Sequence, residues 1–186
     1  MTNYLILHGT DSTPQSNWFM WLKGKLVGKG NKVWLPQLPK ANMPNAKTYT
    51  KFIRANKDFV FDKDTVLIGH SSGAVEILYL LQKLPTKTVI KAAVLVGAFK
   101  DDLGWKSLSE LFQDELDFDK IKQHCLNFTY LHSDDDPHCP LSGAEYLMEK
   151  TGGDLITFEG QGHFNTELSP SYKQFPELLE IIEGLK

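Results

Sequence analysis

Short β-rich runs alternate with stretches of helical spacing along this chain, and that alternation restricts its fold more than any other feature. The runs are Tyr4–His8, Lys32–Leu35, Thr65–Gly69, Val89–Val96, Asn127–His132 and Asp154–Phe158. Between Pro14 and Leu26, Trp18, Leu22 and Leu26 recur at four-residue spacing, which predicts a helix face closed by Gly28 and Gly30. A second helix is expected over Thr48–Phe61 with Phe52, Ile53, Phe59 and Val60 inward. Further helices are expected over Ser72–Leu84, stopped by Pro85, over Leu141–Lys150, and from Pro176 onward, carrying Leu178, Leu179, Ile182 and Leu185. The nearly continuous apolar run Val89–Val96 is that of a strand covered on both faces. Alternation of this kind implies right-handed crossovers. The expected class is therefore α/β, a roughly six-stranded, mostly parallel sheet with helices on both faces. Ala98–Lys120, of mixed polarity, is expected to form one or two short helices over the sheet edge, too little for a large cap domain.

The chain's 186 residues suit a single domain, residues 1–186, and 41% hydrophobic with 23% charged residues excludes wholesale disorder. The net charge of −3 gives no footprint for nucleic acid: Arg54 is the sole arginine, and no lysine cluster reads as a stripe. No apolar run approaches the roughly 18 residues of a membrane helix, and the start lacks the basic region of a signal peptide. Cys125 and Cys139 make neither a disulfide framework nor a zinc pattern. The expectation is a cytoplasmic protein without cofactor, metal, nucleic-acid or membrane partner.

Ligands of an open parallel sheet bind where the strands end. The turns there contain His8-Gly9-Thr10-Asp11, Gly69-His70-Ser71-Ser72-Gly73, His132 to Pro137, and Gly160-Gln161-Gly162-His163-Phe164. The second is Gly-x-Ser-x-Gly between an apolar strand and an apolar helix. In that context the sharp turn exposes the Ser71 hydroxyl over the helix start, and the amide of Ser72 points where an oxyanion would form. The second oxyanion donor is expected from the amide of Thr10 or Asp11.

A serine needs a base and the base an orienting acid. The order serine, acid, histidine puts the base at His163, with His70 packed beside the sheet, His8 bracing the first turn and His124 at the surface. The acid is Asp134, Asp135 or Asp136, the others being solvated charges. Pro137 restrains the backbone of Asp136 alone among them. A metal cluster of His132, Asp134, Asp136 and His138 is the rival reading, but it leaves the serine turn unexplained. A phosphate loop lacks its lysine, and a dinucleotide site lacks its glycines. A catalytically silent binding module on the same scaffold is the rival from another class.

Three motifs carry a resemblance: Gly69 to Ala74, Asp135-Asp136-Pro137 running to Pro140, and Gly162-His163-Phe164 followed by Thr166-Glu167. With stretches at Trp18–Leu22, Asp64–Ala74, and Ala93–Val96 running on to Asp102-Leu103-Gly104, the chain resembles the retinoblastoma-binding protein 9, or YdeN-like, family of small serine hydrolases. The resemblance covers nearly the whole length. It implies a compact α/β-hydrolase fold shortened at the amino end, and Ser71, Asp136 and His163 as a triad. The Leu-x-Cys-x-Glu motif for retinoblastoma binding is absent around both cysteines, so that partner does not carry over. The expected reaction is hydrolysis of a small acyl ester through an acyl-enzyme, the oxyanion held by the amides of Thr10 and Ser72. An amidase or aminopeptidase on the same triad is the alternative, and Trp105 or Phe99 is expected to line the site.

Overall fold

The computed structural model describes residues 1–185. All six expected runs are strands: β1 (Asn3–Leu7), β2 (Lys32–Trp34), β3 (Thr65–His70), β4 (Ile90–Val96), β5 (Cys125–Ser133) and β6 (Asp154–Phe158). They form one sheet in the order β2-β1-β3-β4-β5-β6, every neighbouring pair parallel. The helices are α1 (Phe19–Gly28), α2 (Ala46–Ala55), α3 (Ser72–Leu81), α4 (Phe118–Gln123), α5 (Leu141–Thr151) and α6 (Pro176–Gly184).

Strand side chains alternate between faces, and the two cores follow from that. Leu5, Leu7, Leu67, Ala93, Leu95, Phe128 and Tyr130 face α2, α3, α4 and α5, where Tyr49, Ile53, Leu78, Ile121 and Leu147 complete the packing. Tyr4, Ile6, Val66, Ile68, Val94, Val96 and Leu131 face α1 and α6, meeting Trp18, Leu22, Leu26, Leu178 and Ile182. Helix α3 is buried along its whole length, as its apolar sequence demands. This is an α/β-hydrolase fold.

Boundaries differ where side chains compete with the helix. Helix α1 starts at Phe19 rather than near Pro14. Thr13 and Ser16 bond each other's backbone and side chains, building a turn from the residues before it. Helix α2 begins earlier than expected because Asn45 caps it, accepting the Thr48 amide at 2.9 Å. It ends at Ala55, where Asn56 turns extended and its side chain takes the Asp58 amide. The inward assignment therefore fails for Phe52 and Val60, which are exposed. His124 is buried rather than superficial, and its Nδ1 lies 2.6 Å from the Thr88 carbonyl. The expectation of no basic stripe also fails. Lys47, Lys51 and Arg54 sit at helical spacing on α2, a pattern that composition conceals.

In the Ala98–Lys120 segment a 3₁₀ turn, Lys106–Leu108, precedes α4. Its apolar residues Phe99, Leu108 and Leu111 pack with Val75, Tyr79 and Cys139. No helix among the described residues is long and apolar enough to cross a membrane. The chain runs from β1 outward to β2 and returns to the other side at β3, so the strand order reverses between β1 and β3. The crevice of an open sheet opens at such a reversal, and the turns carrying Thr10 and Ser71 leave the sheet there.

Candidate active site

Strand β3 ends at His70 and α3 starts at Ser72, leaving one residue to reverse direction. That residue, Ser71, has φ 56° and ψ −125°, and its amide donates to the Val96 carbonyl at 2.8 Å. Such geometry costs a non-glycine residue about 1–3 kcal/mol, and the surroundings must enforce it. Two close approaches do so. A Cβ on Gly69 would lie 2.5 Å from Ala74 Cα, and one on Gly73 would lie 2.5 Å from the His8 carbonyl.

Beside the elbow, a Cβ on Gly9 would come within 2.9 Å of Ser71 Cβ. Thr10 Oγ1 donates to Ser72 Oγ at 2.9 Å, joining the two turns. The Asp11 amide is spent on the Ala41 carbonyl at 3.0 Å. The amides of Thr10 and Ser72 have no partner among the described residues, which decides between Thr10 and Asp11 as a candidate donor.

His163 is 5% exposed in the turn after β6. Its Nδ1 lies 2.6 Å from Asp136 Oδ2, while Asp136 Oδ1 accepts the amides of His138 (2.9 Å) and Cys139 (3.0 Å). Burial alone would raise the Asp136 carboxyl. The His163 N–H and these amides outweigh it and hold the carboxyl below its ordinary value. An ionised Asp136 places the His163 proton on Nδ1, leaving Nε2 as a lone pair. Gly97, with φ +60°, sits against the ring: a Cβ there would be 3.0 Å from Cε1. Ser71 Oγ has no hydrogen-bond partner among the described residues, though it and His163 line one cavity. In free enzymes this bond commonly tightens only when substrate enters.

Three other histidines, His8, His70 and His132, hold backbone groups with their rings. His8 Nε2 accepts the Leu38 amide at 3.0 Å and its Nδ1 meets the Gly9 carbonyl, bracing the first turn as expected. Burial lowers its pKa, which fits a neutral ring. His70 donates from Nε2 to the His163 carbonyl at 2.8 Å. Burial, then the nearby His163, pulls its pKa down to about 3. His132 Nε2 donates to the Cys139 carbonyl at 2.8 Å. Its Nδ1 is buried without a partner among the described residues and Asp134 Oδ1 accepts the Gly160 amide, and neither residue belongs to the group of converging ligand atoms. The metal-capable group among the described residues is Asp136, Cys139 and His163, with ligand atoms within 4.8 Å of one another.

Asp134 and Asp135 are exposed, as expected, and each also holds a backbone amide. Asp135 Oδ1 accepts the Gly162 amide at 2.7 Å and the Ser133 hydroxyl at 2.6 Å; Asp134 Oδ1 accepts the Gly160 amide at 2.9 Å. Ser133 Oγ takes the Gln161 amide at 2.8 Å. Three consecutive residues, Ser133 at the end of β5 and Asp134 and Asp135 after it, thus hold three consecutive amides before His163. Sequence reading missed this clamp and Gly97; the pairing of glycine-rich and acidic turns was its only available signal.

The cavity over Ser71 has a volume of about 420 Å³. Phe99, Leu103, Trp105 and Leu108 form its apolar wall, Asp11 and Glu167 lie on its polar side, and no Lys or Arg among the described residues lines it. Both aromatic residues expected there are present, Phe99 buried and Trp105 exposed and edge-on to His138.

The profile of the serine hydrolase family matches residues 4–183. The chain is 27% identical over 189 residues to serine hydrolase RBBP9 of Rattus norvegicus, covering 96% of this chain and 91% of the relative. It is 26% identical over 160 residues to YdeN of Bacillus subtilis, covering 86% and 84%. The crystal structure of the B. subtilis ydeN gene product superposes with TM-score 0.91 at 22% identity over 100% of this chain and 98% of that one. Est1E of Butyrivibrio proteoclasticus, solved with ferulic acid, shares the fold at TM-score 0.71 and 15% identity, over 98% and 90%. With the strand–serine–helix elbow and the family profile in agreement along the chain, this protein belongs to the serine hydrolase family.

Proposed function

We propose that this serine hydrolase cleaves small, uncharged acyl esters through Ser71, His163 and Asp136, with residues 1–186 acting as one domain. The observation that carries the reading is the 2.6 Å contact of Asp136 Oδ2 with Nδ1 of His163, which lines the same cavity as Ser71. Ser71 Oγ attacks the carbonyl carbon while its proton passes to His163 Nε2. The resulting oxyanion lies between the amides of Thr10 and Ser72, whose positions cost no reorganisation at that moment. The alkoxide departs with the proton from His163. Water then attacks the acyl-enzyme, giving its proton to His163, and the acid leaves as Ser71 is restored. Asp136 holds the imidazole in the required tautomer and stabilises the transient cation. These steps draw the nucleophile, base and oxyanion donors from the chain itself.

The apolar wall of Phe99, Leu103, Trp105 and Leu108 suits the acyl group, and the carboxylates of Asp11 and Glu167 disfavour an anionic substrate. Esters are preferred over amides because an alkoxide leaves more readily than an amine. A panel of neutral acyl esters of graded chain length, matched amides and peptide amides, scored by kcat/KM, tests this. Neutral esters should lead. A matched amide or amino-acid amide turned over faster than its ester would overturn the preference.

A further inference from the structure

A second concave site lies between α2 and α3, sharing no lining residue with the cavity at Ser71. Its volume of about 540 Å³ falls within the range of small-molecule sites. Lys47, Lys51 and Arg54 from α2, Lys57 just beyond it and Lys83 after α3 stand around it. Five of the chain's 20 basic side chains, its single arginine among them, thus gather on one groove of a protein with net charge −3. Asp114 is the one acid among the lining residues, and it lies 3.0 Å from Lys47 Nζ.

Helix formation accounts for Arg54, in the last turn of α2, but not for Lys47 and Lys51. Helix α2 contains no Asp or Glu, and Lys47 stands in its first turn, where the helix dipole disfavours a cation. Lys47 with Lys51, and Lys51 with Arg54, are like-charged pairs at i+4 and i+3, which also oppose the helix. Lys57 Nζ bonds the Arg54 carbonyl at 3.2 Å, drawing one more cation to the same end. Local choices that work against the fold mark the places where a sequence answers to something else.

The floor explains what a ligand could use. Ala46 and Ala55 are small, and the buried hydroxyls there are spent: Thr50 on Glu76 Oε1 at 2.7 Å, Tyr79 on the Asp114 carbonyl at 2.9 Å. Recognition therefore falls to the walls, four ammonium groups and one guanidinium fork, the donors that match phosphate oxygens. Acidic side chains outnumber basic ones in the chain as a whole, so a long polyanion following the surface would meet repulsion beyond the groove.

We propose that this groove binds a small polyanion carrying two or more clustered phosphate groups. The same chemistry occurs in free polyphosphorylated molecules and in phosphorylated lipid headgroups; the bounded volume of the groove, about 540 Å³, favours the free form.

Isothermal titration of the full chain with tripolyphosphate, at constant ionic strength, tests the site without reference to hydrolysis. One molecule should bind per chain with Kd below about 1 mM, more weakly as salt rises. Lys51→Gln/Arg54→Gln should raise Kd by about tenfold or more, and Lys83→Gln, outside α2, by about threefold. Lys25→Gln/Lys173→Gln, an equal charge change elsewhere, should stay within about twofold of wild type. Unchanged circular dichroism and ester turnover in each variant show that the fold is intact. Absence of saturable binding would overturn the proposal, as would equal loss in the control double variant. Flotation with vesicles containing phosphatidylinositol bisphosphate, without binding of free tripolyphosphate, would also overturn it.

Discussion

Asp136 meets His163 with one oxygen and its own loop with the other: Oδ2 lies 2.6 Å from His163 Nδ1, and Oδ1 accepts the amides of His138 and Cys139. The carboxylate is thereby oriented before it orients the ring. Asp136→Asn retains an oxygen for the loop amides but can present an amide N–H toward the imidazole, favouring the wrong tautomer. A fall in kcat of about 10⁴ is expected with little change in melting temperature. Full activity in this variant would assign the acid elsewhere.

Asp135 and His163 are linked through the backbone between them. Asp135 holds the Gly162 amide, the residue before the imidazole. Asp135→Asn weakens this bond without touching the ring, so kcat should fall between about tenfold and a hundredfold, the range set by small misplacements of a catalytic group. Hydrogen exchange at the Gly162 amide should quicken in parallel. Asp134→Asn acts one step further away, on Gly160, and should cost less. Activity loss without faster exchange at Gly162 would contradict the clamp.

Much of this architecture was legible in the sequence because the signals were local. Apolar runs such as Val89–Val96 marked the strands. Gly69 and Gly73 marked the elbow because no other residue allows Ala74 and the His8 carbonyl to come so close. The order serine, acid, histidine placed His163, and Pro137 with the family resemblance favoured Asp136. What stayed hidden depended on distant neighbours. Nothing near Gly97 in sequence shows that His163 will rest on it. The roles of Ser133 and Asp135 exist only once β5 and β6 are paired, as Ser133 and Phe158 are. His124 looked superficial because its partner, Thr88, is 36 residues away.

Burial raises the Glu76 carboxyl well above its ordinary value, against a smaller opposing effect of the hydrogen bond from Thr50. The unfolded chain releases this proton near pH 4.3 while the folded chain keeps it. Folding stability therefore declines as pH rises above that point, by at most about 1.4 kcal/mol per pH unit, until the folded group also ionises. Glu76→Gln lacks this dependence. Urea unfolding at pH 4 and pH 7.5 should show the variant gaining on wild type at the higher pH. An equal difference at both pH values would place an ionised carboxylate in the core.

Labelling by a fluorophosphonate probe asks whether Ser71 is the group that is acylated. Wild type should take up one label per chain, with esterase activity lost in proportion. Ser72→Ala should still be labelled, since the proposed contribution of Ser72 is its backbone amide. Ser71→Ala should take up none and lose about 10⁶ in kcat if the three groups act as a unit. Undiminished labelling or turnover in folded Ser71→Ala would place the nucleophile elsewhere.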